Sequence, residues 1–373
     1  MKETFAVHRV LSGSHADIGR QLAAIVSAMP PYLEFFRSGQ GRLDDKHVRA
    51  FIHAAETYSP GTLEELRSFT DELSIPFGAV AYLCHTYLVQ PRCSHFAVLG
   101  SRTSDGNTLV ARSYEFNDEQ DDGCLHTIAA TGERKIMGST TLLFGLNEGM
   151  NDAGLVVTMS GGGMPVGSNP GMQRPFNDGV QFWFGIRALL ERCSTVGEAV
   201  TMAQEMTFGG NPILIMADRQ GRAALMEIHG HDKAVTYIDV FTDKAHLSAT
   251  NHYQLDAMVV HRGAHVMANS IVRKRTIESF LSNQPAVDVA ALKRLLGSPY
   301  PSGLSCNYFE EFFGTVRSMV FEPYRSTMHV SFGPPTVNPW HEVDFTSTAS
   351  FHHVKLPRER APKEVWNDPT LKA

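Results

Sequence analysis

What this chain lacks narrows it first. Its five cysteines, Cys84, Cys93, Cys124, Cys193 and Cys306, are odd in number and scattered. No two form a Cys-x-x-Cys pair, which argues against a structural zinc site, and the odd scatter argues against a disulfide framework. Free thiols point to a reducing compartment, so a cytoplasmic location is expected. The opening stretch from Met1 to Leu11 has no apolar core of signal-peptide length. No uninterrupted apolar run is long enough to span a bilayer. Charge of one sign is scarce too: a formal net charge of −6 over 373 residues is too mild to suggest a nucleic-acid or anionic-membrane partner. Internal repeats and low-complexity segments are missing. What is left is a globular chain of ordinary composition, 43% hydrophobic, long enough for one large domain or two smaller ones.

Periodicity divides the chain. The first ninety or so residues read helical. Ser14-His15-Ala16-Asp17 can cap a helix through Ile18, Leu22, Ala23 and Ile25 that stops near Pro30-Pro31. Two more helices are expected over 44–58 and 62–73, and 77–89 is apolar and ambiguous. From Cys93 the pattern switches to strands, expected at 94–103, 108–116, 125–131, 140–147 and 154–160. Helices return at 182–192 and 196–206. Strands follow at 212–218, 223–228, 234–241 and 246–253, helices at 269–281 and 287–296, and strands at 315–322 and 327–332. The proline-rich, charged tail is expected to wrap the surface. Separate strand blocks flanked by helices fit an α+β fold, with two packed antiparallel sheets and helices outside.

Chemistry concentrates at Cys93. A strand opening at this cysteine, a turn at Asp105-Gly106-Asn107 and a second strand ending in Arg112-Ser113-Tyr114-Glu115-Phe116 make a hairpin. Folding back brings Arg112 and Glu115 beside the thiol, as a nucleophilic cysteine requires. By itself, a cysteine opening an apolar strand is more often packing, and an Arg112–Glu115 pair alone would be a structural ion pair. His95, two residues on, either faces the same pocket or is a satisfied core histidine. His229-x-His231 could start a metal site, but its Gly230 and Asp232 read as a hairpin tip. Gly161-Gly162-Gly163 lacks the lysine of a phosphate loop and reads as a pocket edge.

In order and spacing the chain resembles the N-terminal-nucleophile hydrolases of the penicillin acyltransferase type (peptidase family C45), relatives of the choloylglycine (bile-salt) hydrolases and penicillin V acylases. Leu11-Ser12-Gly13-Ser14-His15-Ala16-Asp17-Ile18-Gly19 is similar to the family's opening motif, and Cys93-Ser94-His95-Phe96-Ala97 to its nucleophile strand. Arg112 to Phe116 resembles its Arg-Asn-x-Asp-Trp motif. Gly149-Met150-Asn151-Asp152-Ala153-Gly154-Leu155, Thr250-Asn251-His252-Tyr253, Asn269-Ser270-x-x-Arg273, Gly314-Thr315-Val316 and Gly333-Pro334-Pro335 resemble later motifs. Two departures stand out: Glu115 replaces the usual aspartate, and Ser113 the asparagine before it.

The resemblance implies a four-layer αββα sandwich and self-cleavage of the Arg92–Cys93 bond. Residues 1–92 would be a helical leader and 93–373 the catalytic fragment. Cys93 would attack an amide with its own α-amino group as base. An α-amino pKa of roughly 8 and a thiol pKa of roughly 8.5 make that exchange feasible. Arg112 would favour the thiolate, and Glu115 would hold Arg112 and orient the ammonium. Asn251, with a free side-chain amide, would donate to the oxyanion, helped by backbone N–H groups around Ser160 to Gly163. Arg273 would add positive charge. Gly161, Gly162 and Phe182 are the expected substrate contacts. The expected activity is an amidohydrolase or acyltransferase acting on linear N-acyl amides, with no cofactor and no metal. The expected partners are a small N-acyl substrate and the associated fragments of the cleaved chain, with room for a homo-oligomer. Competing readings are a metal-dependent hydrolase built on His229 and His231, and a catalytically silent binding protein.

Overall fold

Strand-forming segments with buried faces on both sides account for most of the core. The computed structural model describes residues 1–85, 92–163, 174, 179–243, 245–262 and 266–367. It opens on a strand, β1 (Lys2–Gly13), where helix was expected. Helices α1 (His15–Ser27), α2 (Pro30–Arg37), α3 (Asp45–Tyr58), α4 (Pro60–Leu73) and α5 (Phe77–His85) follow. Ser14 and Asp17 form a reciprocal capping box on α1, as their spacing predicts. Pro30 and Pro31 do stop α1, but they also open α2, where a proline lacking an N–H costs nothing.

The strands β2 (Arg92–Val98), β3 (Leu109–Phe116), β4 (Cys124–Ala130), β5 (Ile136–Thr141), β6 (Gly145–Asn151) and β7 (Leu155–Gly161) come next. The segment 140–147, expected as one strand, is the end of β5, a tight turn and the start of β6. Its central residues Leu142 and Leu143 both take positive φ, 58° and 64°. With Thr141 paired to Gly145 the loop is three residues, Leu142, Leu143 and Phe144, and its first two hold a left-handed conformation that leucine resists. Asp122 holds it in place, accepting from Leu143 N and Thr140 Oγ1 at 2.8 Å each. Leucines where glycine or asparagine would be usual concealed the turn.

After α6 (Phe182–Arg192) and α7 (Val196–Glu205) come β8 (Pro212–Asp218), β9 (Ala223–His229), β10 (Asp232–Ile238) and β11 (His246–Ala249). Then come α8 (Ala268–Asn283), α9 (Val289–Gly297), β12 (Asn307–Tyr308), β13 (Phe313–Glu322), β14 (Thr327–Phe332), β15 (His341–Asp344) and β16 (Ser350–Leu356). The tail is thus more than a surface wrap, since β15 and β16 each extend a sheet edge.

Among the described residues, the larger sheet runs β10-β9-β8-β7-β6-β5-β4-β1-β16 and the smaller β11-β2-β3-β13-β14-β15, with β12 beside β13. Pairings are antiparallel except β1 with β4, which is parallel. Residues 1–92 are therefore not a purely helical unit, because β1 sits inside the larger sheet between β4 and β16. One apolar layer joins α1 to α7 to the outer face of the larger sheet. A second fills the space between the sheets, and a third seats α8 and α9 on the smaller sheet. The fold is the expected αββα sandwich.

Candidate active site

Period two along β2 and β3 decides which residues meet. Cys93 pairs with Tyr114 and His95 with Arg112, so these four share the face toward the larger sheet. Arg92 pairs with Glu115, and Ser94 with Ser113, on the face toward α8. Arg112 and Glu115 are an odd number of residues apart and so point to opposite sides.

On the inter-sheet side, Cys93 is fully buried and receives Arg112 Nη2 at 3.1 Å from its sulfur. The carboxylate expected on Arg112 is not Glu115. It is Glu148 of β6, whose Oε2 lies 2.7 Å from Arg112 Nε. Sequence reading misses Glu148, because it misplaces β6, and only alternation into the inter-sheet space could flag this carboxylate. His95 is the satisfied core histidine of the two readings: Nδ1 meets Thr158 Oγ1 at 2.8 Å and Nε2 meets Ser160 Oγ at 3.1 Å. Burial drives its pKa well below the usual value, so it stays neutral.

The α8 side clamps the main chain of Cys93. Its N–H donates to Asn251 Oδ1 at 3.1 Å. Arg273 Nη1 donates to its carbonyl at 2.7 Å and to Ser94 Oγ at 2.9 Å. Arg273 Nη2 reaches Asn251 Oδ1 at 2.8 Å and Asn269 Oδ1 at 2.7 Å. Glu115 lies 3.5 Å from Arg273 and accepts from Ser113 Oγ. Burial pushes its carboxyl up to about 7 although Arg273 pulls it down. Asn251 itself is set by Ser270, whose Oγ accepts its N–H at 2.8 Å.

Several expectations need correction. Arg112 alone does not make Cys93 acidic, since burial outweighs it and pushes the thiol up to about 12. The amide of Asn251 is not free: Nδ2 donates to Gly161 O at 2.9 Å. The N–H groups of Gly162 and Gly163 donate to Asn211 O and Asn251 O. These glycines instead allow close packing, because a Cβ on Gly162 would sit 2.7 Å from the Tyr253 ring. Phe182 is buried in the apolar layer under the helices, as packing. The Gly-, Pro- and Met-rich segment 164–177 before it, also expected at the pocket, lies outside the described residues except for Arg174. His229 and Asp232 flank the expected turn, and the His229 ring stacks on His261 at 4.2 Å between centroids. Among the described residues no three His, Cys, Asp or Glu side chains group as metal ligands, and no helix is long and apolar enough to cross a membrane.

A profile of the acyl-coenzyme A:6-aminopenicillanic acid acyl-transferase family matches residues 101–336. The match contains Arg112, Glu115, Glu148, Asn251 and Arg273 and begins after Cys93. A penicillin V acylase from Agrobacterium tumefaciens is 15% identical with a TM-score of 0.44, over 68% of this chain and 87% of that one. A mutant conjugated bile acid hydrolase from Clostridium perfringens is 12% identical with a TM-score of 0.43, over 72% and 98%. An uncharacterized protein of Archaeoglobus fulgidus is 27% identical over 158 residues, 39% of this chain and 25% of that protein. The match therefore spans a quarter of that relative's length.

Proposed function

Because the chain belongs to the acyl-coenzyme A:6-aminopenicillanic acid acyl-transferase family, we propose that it is a self-cleaving cysteine amidohydrolase or acyltransferase acting on linear N-acyl amides. The observation that carries this reading is the separate restraint of three parts of one residue. The sulfur of Cys93 lies against Arg112, its nitrogen against Asn251 and its carbonyl against Arg273. A packing cysteine needs none of these, whereas an N-terminal nucleophile needs all of them.

In the uncut chain the thiol would attack the Arg92 carbonyl carbon, and the C–N bond would break with the proton passing to the Cys93 nitrogen. Water would then hydrolyse the thioester. The freed ammonium, beside the sulfur, would offset the burial that holds the thiol protonated. In turnover the α-amino group would take the thiol proton, the sulfur would acylate, and the amine would leave with that proton. Water or a second amine would accept the acyl group.

Denaturing mass spectrometry tests maturation, with two species breaking before Cys93 as the expected result. Cys93→Ala should give a single inactive chain, because one thiol serves both steps. Cys84→Ala, Cys124→Ala, Cys193→Ala and Cys306→Ala should each mature and turn over. A Cys93→Ala protein that still processes itself would end this reading.

A further inference from the structure

Behind Cys93, between the sheets, four buried charges alternate in sign. Arg112 donates from Nη2 to the sulfur and from Nη1 to Asn147 O at 3.2 Å, and its Nε lies 2.7 Å from Glu148 Oε2 as an ion pair without an aligned hydrogen bond. Glu148 turns its other oxygen to Arg317 Nε at 3.1 Å. Arg317 closes the row on both oxygens of Asp121, 2.9 Å each. Both guanidiniums lie over the Tyr114 ring, Arg317 at 4.0 Å and Arg112 at 5.3 Å from its centroid. The side chains of Arg112, Glu148, Arg317 and Asp121 are 3% exposed or less.

We infer that Glu148 is a positioning residue for the nucleophile: by bridging Arg112 and Arg317, it fixes the guanidinium that reaches the Cys93 sulfur and limits how much of its charge the sulfur feels. The inference rests on the reading of Cys93 as nucleophile. A guanidinium is a planar fork, so contacts at Nε and Nη1 leave one orientation for Nη2. In this orientation Nη2 meets the sulfur. The row is also neutral, with each guanidinium matched by a carboxylate. A bare buried Arg112 would be costly, and its uncompensated charge would bear in full on the sulfur. Among the described residues, the other charged or titratable groups around Cys93 include Tyr114 and Glu115 of β3, Arg273 of α8, and Arg92 and His95 on its own strand. Of the two partners in the bridge, Arg112 pulls the thiol pKa down and Glu148 pushes it up.

Two substitutions separate charge from reach. Glu148→Gln keeps an oxygen for Arg112 Nε and loses the charge. Glu148→Asp keeps the charge and, one methylene shorter, draws the guanidinium off the sulfur. The probe is iodoacetamide, with Cys93 alkylation followed by peptide mass between about pH 5 and pH 10 on the cleaved proteins, whose freed ammonium offsets the burial of the thiol. Glu148→Gln should lower the alkylation midpoint by about one pH unit, and Glu148→Asp should raise it. A merely structural carboxylate would leave both midpoints where they are or move them the same way, and either result overturns the inference. Should Glu148→Gln fail to fold, the rise in Glu148→Asp decides alone. A wild-type chain that does not cleave, or that once cleaved shows neither an alkylation midpoint nor turnover, overturns the nucleophile reading itself before any variant is made.

Discussion

The two faces of the β2–β3 hairpin handle charge in opposite ways. Toward the larger sheet, Arg112, Glu148, Arg317 and Asp121 form a row in which the central carboxylate touches two guanidiniums. Toward α8, Arg273 is divided among Cys93 O, Ser94, Asn251 and Asn269, and stands 3.5 Å from Glu115. A carboxylate gripped by two cations is a fixed part of the framework. One left at the edge of an overcommitted cation is not fully compensated for burial, and Glu115 accordingly sits near 7. The first face sets geometry, and the second is where a proton can come and go near neutrality.

Asn251→Ala should break the contrast most severely, because it removes a shared acceptor of Cys93 N and Arg273. Both kcat and kcat/KM should fall about a hundredfold or more, with KM little changed, because the Cys93 nitrogen and Arg273 lose the oxygen that aligns them for reaction. A rise in KM alone would make the asparagine a substrate contact and leave the oxyanion donors to be sought elsewhere.

Glu115→Gln should have a smaller effect with a distinct pH signature. The folded carboxyl titrates near 7 against an ordinary value of 4.5, so the folded state binds this proton more tightly. The stability it contributes is whole below about pH 4.5 and is lost as pH rises through about 7, by up to about 1.4 kcal/mol per unit. Glu227, also held near 7 by burial, adds a similar slope. Urea midpoints at about pH 5 and pH 7.5 should therefore converge partly in Glu115→Gln. Unchanged divergence would place the titration elsewhere.

Ser113→Ala should do least. It removes the hydroxyl that donates to Glu115, which raises the carboxyl further and moves the midpoint of the same stability profile upward by no more than about one unit. A downward shift would mean that Ser113 does not donate to the carboxylate.

Legibility varied with how local the signal was. The capping box on α1, the helices α6 and α7, and the strands β8 and β9 each carry their pattern within a few residues. β1 did not, because it lies near a sheet edge where Phe5 stays 65% exposed and the apolar alternation is diluted. The turn between β5 and β6 was hidden by leucines that a distant carboxylate, Asp122, holds in left-handed conformation. Phe182 heads an apolar helix in either reading, so sequence could not separate pocket from packing.

By itself the sequence determined that Cys93 lies at the start of a hairpin strand with Arg112 opposite, because chain order and alternation are local properties; Asn251 and Arg273 were tied to it only by the family resemblance. Alternation also separates Arg112 from Glu115. Only the tertiary structure decided what each charge meets. Glu148 reaches Arg112 from another sheet, and α8 carries Arg273 to the Cys93 carbonyl across 180 positions of chain. Partners so distant in sequence are chosen by how the layers stack, and burial between those layers then decides which groups hold their protons.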